Sequence, residues 1–332
     1  MKKSKLNILI IIVLTIVVLY LSLKDDYNKI LPLLFEVNLI WLFISYLFVL
    51  SYTFLKSIVT YNIINNFKEY SFIKTFKLQF MTFFFNAITP FSSGGQPFQV
   101  YVLNKDNVSL PSATNIIVQE TIVHQIALSI VILITYILNC LFNFYDLNIT
   151  MTLLLIISFF INAIVIVFLI VLSHGKNIDN TLGKFIINLL YKLKIIKNKE
   201  EKIKKWETSI GEFNIASKKL LANKSKFIKL IVLNTIALIS LYIVPLVILF
   251  SLGNYNSFNG LTAIVLTSFI SIICSYVPLP GGSLGQEYLF TMLFSQYIFN
   301  PILTSLMLLW RLITYYLPMI IGALIFNINK KN

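Results

Sequence analysis

The sequence predicts an all-α, polytopic membrane helical bundle with about seven to nine membrane segments. Three observations carry that class. The 332 residues are 58% hydrophobic and 12% charged, with mean hydropathy +0.84. A soluble domain carries roughly 25% charge. Apolar runs recur along the whole chain, so 1–332 reads as one integral membrane domain. Finally, two of the runs are interrupted by clustered glycine and proline. Five of the eleven glycines fall in Thr89–Pro97 and Val277–Glu287. Proline removes a backbone donor and glycine opens left-handed backbone, so neither stretch continues a helix. Inside a bilayer, broken backbone is tolerated only where protein or a water-filled cavity satisfies it.

From the N-terminus, Met1-Lys2-Lys3-Ser4-Lys5 precedes an apolar run over 6–23. A signal peptide has this shape, but no small-residue cleavage site follows, so an uncleaved first span is expected. Its lysines place the N-terminus in the cytoplasm. The loop 24–38 is then external and 39–59 returns inward. Residues 76–91 are apolar and end in Pro90, Gly94, Gly95 and Gln96. Spans follow at 119–143 and 152–173. The stretch 174–226 holds thirteen lysines and five acidic residues and is expected in the cytoplasm. Counting back, 60–77 and 94–118 share that side, so 72–97 is expected to dip in and return as a re-entrant hairpin.

Within 174–226, apolar residues from Ile178 to Ile196 recur at helical spacing with lysines largely off that face. This pattern predicts an interfacial amphipathic helix on anionic lipid; a solvated helix pair packed on itself is the plainer reading. Residues 227–251 cross outward, with Pro245 placed to kink the helix. Residues 259–276 and 288–299 flank the second break, and 301–326 form the last span. Lys330 and Lys331 put the C-terminus inside. The pair 259–299 either crosses twice or forms a second hairpin entered from the opposite face. The second option makes the breaks an inverted pair, an architecture of secondary transporters.

Charge inside the apolar runs singles out few residues. Glu120 and Glu287 are the acidic residues at or within expected membrane segments, and Arg311 is the chain's one arginine. A mid-span charge costs about 2.5–3.5 kcal/mol on insertion scales, so Arg311 is expected to face the interior and meet a carboxylate. Glu287 is the first expected partner and Glu120 the second. The pair is either structural or part of a headgroup site; guanidinium suits planar, bidentate recognition of phosphate. His124 lies one turn after Glu120 and shares its helix face. It reads as a proton relay, a headgroup contact, or a simply hydrogen-bonded histidine. The backbone around Gly281, Gly282 and Gly285 can cradle an anion where a helix begins near Gln286.

Other classes find little support. No catalytic triad or metal site assembles from two histidines and two cysteines, so neither catalytic residues, metal nor cofactor is expected. Cys140 and Cys274 are expected as buried thiols. The net charge of +14 reads as an orientation signal rather than direct nucleic-acid binding.

These residues resemble a family, the integral-membrane domain of lysylphosphatidylglycerol synthases/flippases. The likeness rests on Thr89-Pro90 with Gly94-Gly95, Gln119-Glu120, Pro278 through Glu287, and Arg311 with Tyr315, Pro318 and Gly322. It covers nearly the whole chain. Where the family tends to carry charge, this chain has Gln96, Gln99, Thr121 and His124. The resemblance implies movement of an aminoacylated phospholipid toward the outer leaflet. A cytosolic lysyltransferase domain is not found among these residues, so translocation or binding of a lipid is expected rather than aminoacyl transfer. Two alternatives stand beside it: the membrane part of a phosphatidylglycerol lysyltransferase, which requires a separate synthase chain, and a lipid-binding scaffold. The expected partners are a phospholipid and, through 174–226, an anionic membrane surface; the oligomeric state is left open.

Overall fold

The computed structural model describes residues 27–174, 187–188, 191, 198–204, 206–208, 211, 213, 223–276 and 284–331. Among these the chain is helical throughout. The elements are α1 (Tyr27–Phe35), α2 (Leu39–Ile64), α3 (Phe72–Ala87), α4 (Gly95–Lys105), α5 (Leu110–Phe142), α6 (Ile149–His174), α7 (Lys224–Tyr242), α8 (Val244–Ser251), α9 (Gly260–Cys274), α10 (Gly285–Phe294), α11 (Ile302–Arg311) and α12 (Leu317–Lys331). Among the described residues, five helical stretches are long and apolar enough to cross a membrane: Leu39–Ile64, Leu110–Phe142, Ile149–Leu172, Lys224–Ser251 and Ile302–Ile328. That is fewer than the seven to nine segments expected. The expected first span and most of the amphipathic stretch in 174–226 lie outside the described residues. The remaining expected segments are hairpin arms that stop short of a full crossing.

The short arms follow from the breaks. The sixteen residues of α3 span about 24 Å and the fifteen of α9 about 22 Å, against a hydrocarbon core of about 30 Å. α3 ends at Ala87, and Pro90–Ser92 form one 3₁₀ turn with Phe91 at φ 56° and Ser92 at φ 49°. The chain then starts back as α4, with Pro97 in the first turn, where a missing N–H costs nothing. Two side chains of α3's end stitch the reversal. Gly94 N–H donates to Thr89 Oγ1 and Gly95 N–H to Asn86 Oδ1, both at 2.8 Å. A Cβ on Gly95 would lie 2.4 Å from Asn86 Oδ1, so glycine lets the returning helix come this close without displacing that side chain.

Polar contacts at the loops fix which end of the bundle each hairpin opens toward. At one end Lys68 Nζ and Tyr70 Oη donate to Asp106, and Lys226 Nζ donates to Asn66. Burial and the Asp106 carboxylate hold the Tyr70 phenol above its ordinary pKa. We call this the basic end. At the other end Asn38 N–H donates to the Ser251 carbonyl, Tyr297 Oη to the Phe144 carbonyl, and Phe258 packs on Phe294 and Tyr297. The α3–α4 hairpin therefore opens at the basic end and the α9–α10 hairpin at the opposite end. Residues 258 and 297 thus lie at one end together, as both readings left open for 259–299 require.

The five long stretches surround the hairpins. α2 packs on α7, α8 and α5, and α5 also packs on α6, α7 and α9. Asn38 caps α2 by accepting from Ile40 and Trp41, and Asn143 closes α5 in the left-handed region. The expected kink at Pro245 is a break between α7 and α8 at Ile243. One apolar core runs through α2, α5 and α7–α11, and a smaller one fills the basic end. Within the larger core Thr135 meets Ser268 at 2.8 Å, and Asn162 of α6 takes the Tyr276 hydroxyl at 2.9 Å beside the second break. Cys274 is buried as expected. Cys140 is exposed instead, because the last outward turn of α5 borders a polar cleft with Asn143 and Asn148.

Candidate functional site

The last crossing is not one regular helix. α11 ends at Arg311, and Leu312–Tyr316 form a single π-type turn before α12. Such wide turns within α-helices are often found at functional sites. Here the turn sets Tyr315 under Arg311, with the guanidinium carbon 4.3 Å from the ring centroid. Trp310 stacks on Phe290 of α10, centroids 4.6 Å apart, which docks the second hairpin's outer arm on α11.

That docking delivers the first turn of α10 to Arg311. Glu287 Oε1 lies 2.6 Å from Arg311 Nε, and Arg311 Nη1 donates to Gln286 Oε1 at 2.7 Å. Arg311 is 3% exposed and Glu287 6%. The carboxylate also sits at a helix N-terminus, where the backbone dipole favours negative charge. Glu287 Oε2 has no hydrogen-bond partner among the described residues. Among the described residues the site thus pairs a guanidinium with a carboxylate that has an unused acceptor, beside the rings of Tyr315 and Trp310.

The first hairpin closes the arrangement from the other side. Tyr315 Oη donates to the carbonyl of Ala87, the last residue of α3, at 3.4 Å. The contact chain runs Glu287, Arg311, Tyr315, Ala87: the tip of one hairpin, the last crossing, and the tip of the other. Gly322, about two turns further on in α12, lets α3 pass: a Cβ there would sit 2.0 Å from the Phe80 carbonyl oxygen.

A second charged group lies nearer the basic end. Glu120 of α5 is 5% exposed, and its Oε1 is 3.9 Å from Lys56 Nζ of α2. Gln79 of α3 donates to Thr60 at 2.7 Å and to Glu120 Oε1 at 3.4 Å. His124 Nδ1 is 3.1 Å from Asn234 Oδ1 of α7; with that oxygen accepting, Nδ1 carries the proton.

Comparison with known proteins fits this geometry. A family model described as "Lysylphosphatidylglycerol synthase TM region" matches residues 7–322. The chain belongs to this family. It is also 30% identical over 302 residues to a UPF0104 membrane protein of Archaeoglobus fulgidus, an alignment covering 86% of each. No solved structure matches. The family and the five apolar crossings make it a multi-pass membrane protein.

In this synthase-family membrane domain, the residues singled out by sequence fall into three groups. Glu287, Gln286, Arg311 and Tyr315 come together as one site, with Gly285 opening the helix that carries two of them. Gly94 and Gly95 shape the first hairpin's tip; Pro90 opens its 3₁₀ turn, and Gln96 lies exposed there. Glu120 and His124 belong to the second group, away from Arg311. Gly281 and Gly282 lie outside the described residues. Lys56 was missed and Glu120's partner with it: a lysine inside the apolar run 39–59 is as costly as Arg311, and that cost was the available signal.

Proposed function

We propose that this chain binds a phospholipid by its headgroup between the two hairpin tips and moves it across the cytoplasmic membrane. The family's description names lysylphosphatidylglycerol, which makes an aminoacylated or plain phosphatidylglycerol the favoured substrate. One observation carries the reading: Arg311, held by Glu287 and Gln286, touches Tyr315, which reaches the opposing hairpin at Ala87. A phosphate takes the guanidinium's planar donors, and a cationic lysyl group takes the Glu287 carboxylate. Because each hairpin opens toward one end, a headgroup at their junction is reachable from either face in turn, while its acyl chains stay in lipid. The lysine-rich loops support a basic end, with both termini, in the cytoplasm, and 174–226 on anionic lipid.

The test is leaflet-resolved lipid analysis in cells lacking the gene and in cells carrying Arg311→Ala. Unchanged total aminoacyl-phospholipid with reduced outer-leaflet exposure is the expected result. Lost synthesis would instead assign the chain to a lysyltransferase, and unchanged exposure in both strains would defeat transport of this lipid.

A further inference from the structure

The Arg311 site does not use the second buried pair. We propose that Lys56 and Glu120 form a proton-exchange site whose charge state sets the position of α3, and thereby of the headgroup site. This rests on the transport reading above.

The pair is separate and loosely made. Lys56 and Glu120 are 3.9 Å apart, against 2.6 Å for Arg311 and Glu287. The Lys56 side chain is 19% exposed and that of Glu120 6%, so the lysine is the more open side of the pair. One proton moves from water onto a Glu120 carboxylate oxygen, and nothing else is consumed. The ammonium left behind stays one turn from Tyr52 on α2.

The remaining neighbours leave the reaction to this pair. From α2, Lys56 faces Glu120, and Tyr52 lies one turn before it on that helix. From α3 the contact is Gln79; Lys74 and Lys77 of that helix are exposed. From α7 it is Asn234, which holds His124. His124 itself stands one turn along α5 and feels the charge of Lys56.

α3 carries the signal because it touches both Glu120 and the tyrosine under Arg311. Gln79 binds Glu120 and Thr60 at one level, and Ala87 receives Tyr315 eight residues on. With 1.5 Å per residue those contacts are about 12 Å apart on one uninterrupted helix. An ionised Glu120 attracts Lys56 and accepts from Gln79, pinning α3 to α2 and α5. Neutralising it removes the attraction and weakens that bond, since hydrogen bonds to charged groups are the stronger ones. Movement of α3 then shifts the Ala87 carbonyl against Tyr315, the residue under Arg311.

The experiment uses the full chain in nanodiscs containing phosphatidylglycerol. Hydrogen–deuterium exchange of residues 72–87 is followed from about pH 8 to about pH 4, corrected for intrinsic rates, a range spanning carboxylate titration. Wild type should show a several-fold rise in α3 exchange on acidification. Glu120→Gln should show the acid-state rate at every pH, and Glu120→Asp should keep a step. Gln79→Leu, which leaves both charges in place, should uncouple α3 and abolish the step. In parallel, reconstituted vesicles report movement of fluorescent phosphatidylglycerol with and without an imposed pH gradient. The gradient should change the wild-type rate several-fold and leave Glu120→Gln indifferent to it. A wild-type α3 that ignores pH, or the same step in Glu120→Gln, overturns the proposal. Lipid movement without an α3 step sinks the proton site alone. An α3 step without lipid movement keeps the switch and sinks the transport reading.

Discussion

Arg311 and Lys56 each neutralise one carboxylate inside the bundle, and they do it differently. Arg311 is fixed on every side: 2.6 Å from Glu287, bonded to Gln286, stacked over Tyr315, and only 3% exposed. Lys56 meets Glu120 at 3.9 Å and keeps an accessible edge. The difference follows from the side chains. A planar guanidinium is preorganised for several partners at once, whereas an ammonium is a mobile point charge on a flexible stem. A rigid centre suits the place where two hairpins must hold a headgroup between them; a loose one suits a group that changes charge.

The sharpest way to break this comparison is to remove each cation. Arg311→Ala strands Glu287 in the interior and should destabilise by about 3–5 kcal/mol, read as a large fall in the unfolding midpoint in detergent. Lys56→Ala should cost about 1–3 kcal/mol, since Glu120 retains Gln79. Equal losses would mean that the two pairs do the same job.

Gly322→Ala tests whether α3 links the two centres. Its Cβ would overlap the Phe80 carbonyl, so α3 must shift, at a cost of about 1–3 kcal/mol. Spectroscopic distances from α3 should change at both the Gln79 and the Ala87 level; a change at one level only would show that α3 bends rather than moves as a rod. The smallest effect is expected for Thr89→Val, which removes the acceptor of Gly94 N–H at the first tip. It should cost about 0.5–1.5 kcal/mol in thermal stability and leave the Lys56 region unperturbed.

The breaks at Pro90 and before Gly285 were readable because proline and clustered glycine have few other uses inside an apolar run. The Arg311–Glu287 pairing was readable for a similar reason: each charge needed a partner, and both lay in the second half of the chain. Lys56 was passed over because a single lysine barely lowers the mean hydropathy of α2, although its cost is local and undiluted. α1 lay unseen in a short loop with Pro32 at its centre. The π-type turn at Leu312–Tyr316 has no sequence mark at all, since it arises from packing Arg311 and Tyr315 around one partner. Cys140 was misjudged because helical periodicity says which residues share a face, not that the last turn of α5 ends at an open cleft.

The most direct test concerns the opposed entry of the hairpins. In a background carrying Cys140→Ser and Cys274→Ala, single cysteines are placed at Ser109, beside the first hairpin, and at Asn256, beside the second; both sites are exposed. An impermeant maleimide is then applied to right-side-out and inverted vesicles. The account predicts that position 256 reacts only in the former and position 109 only in the latter. Reaction of both in the same vesicles would contradict it.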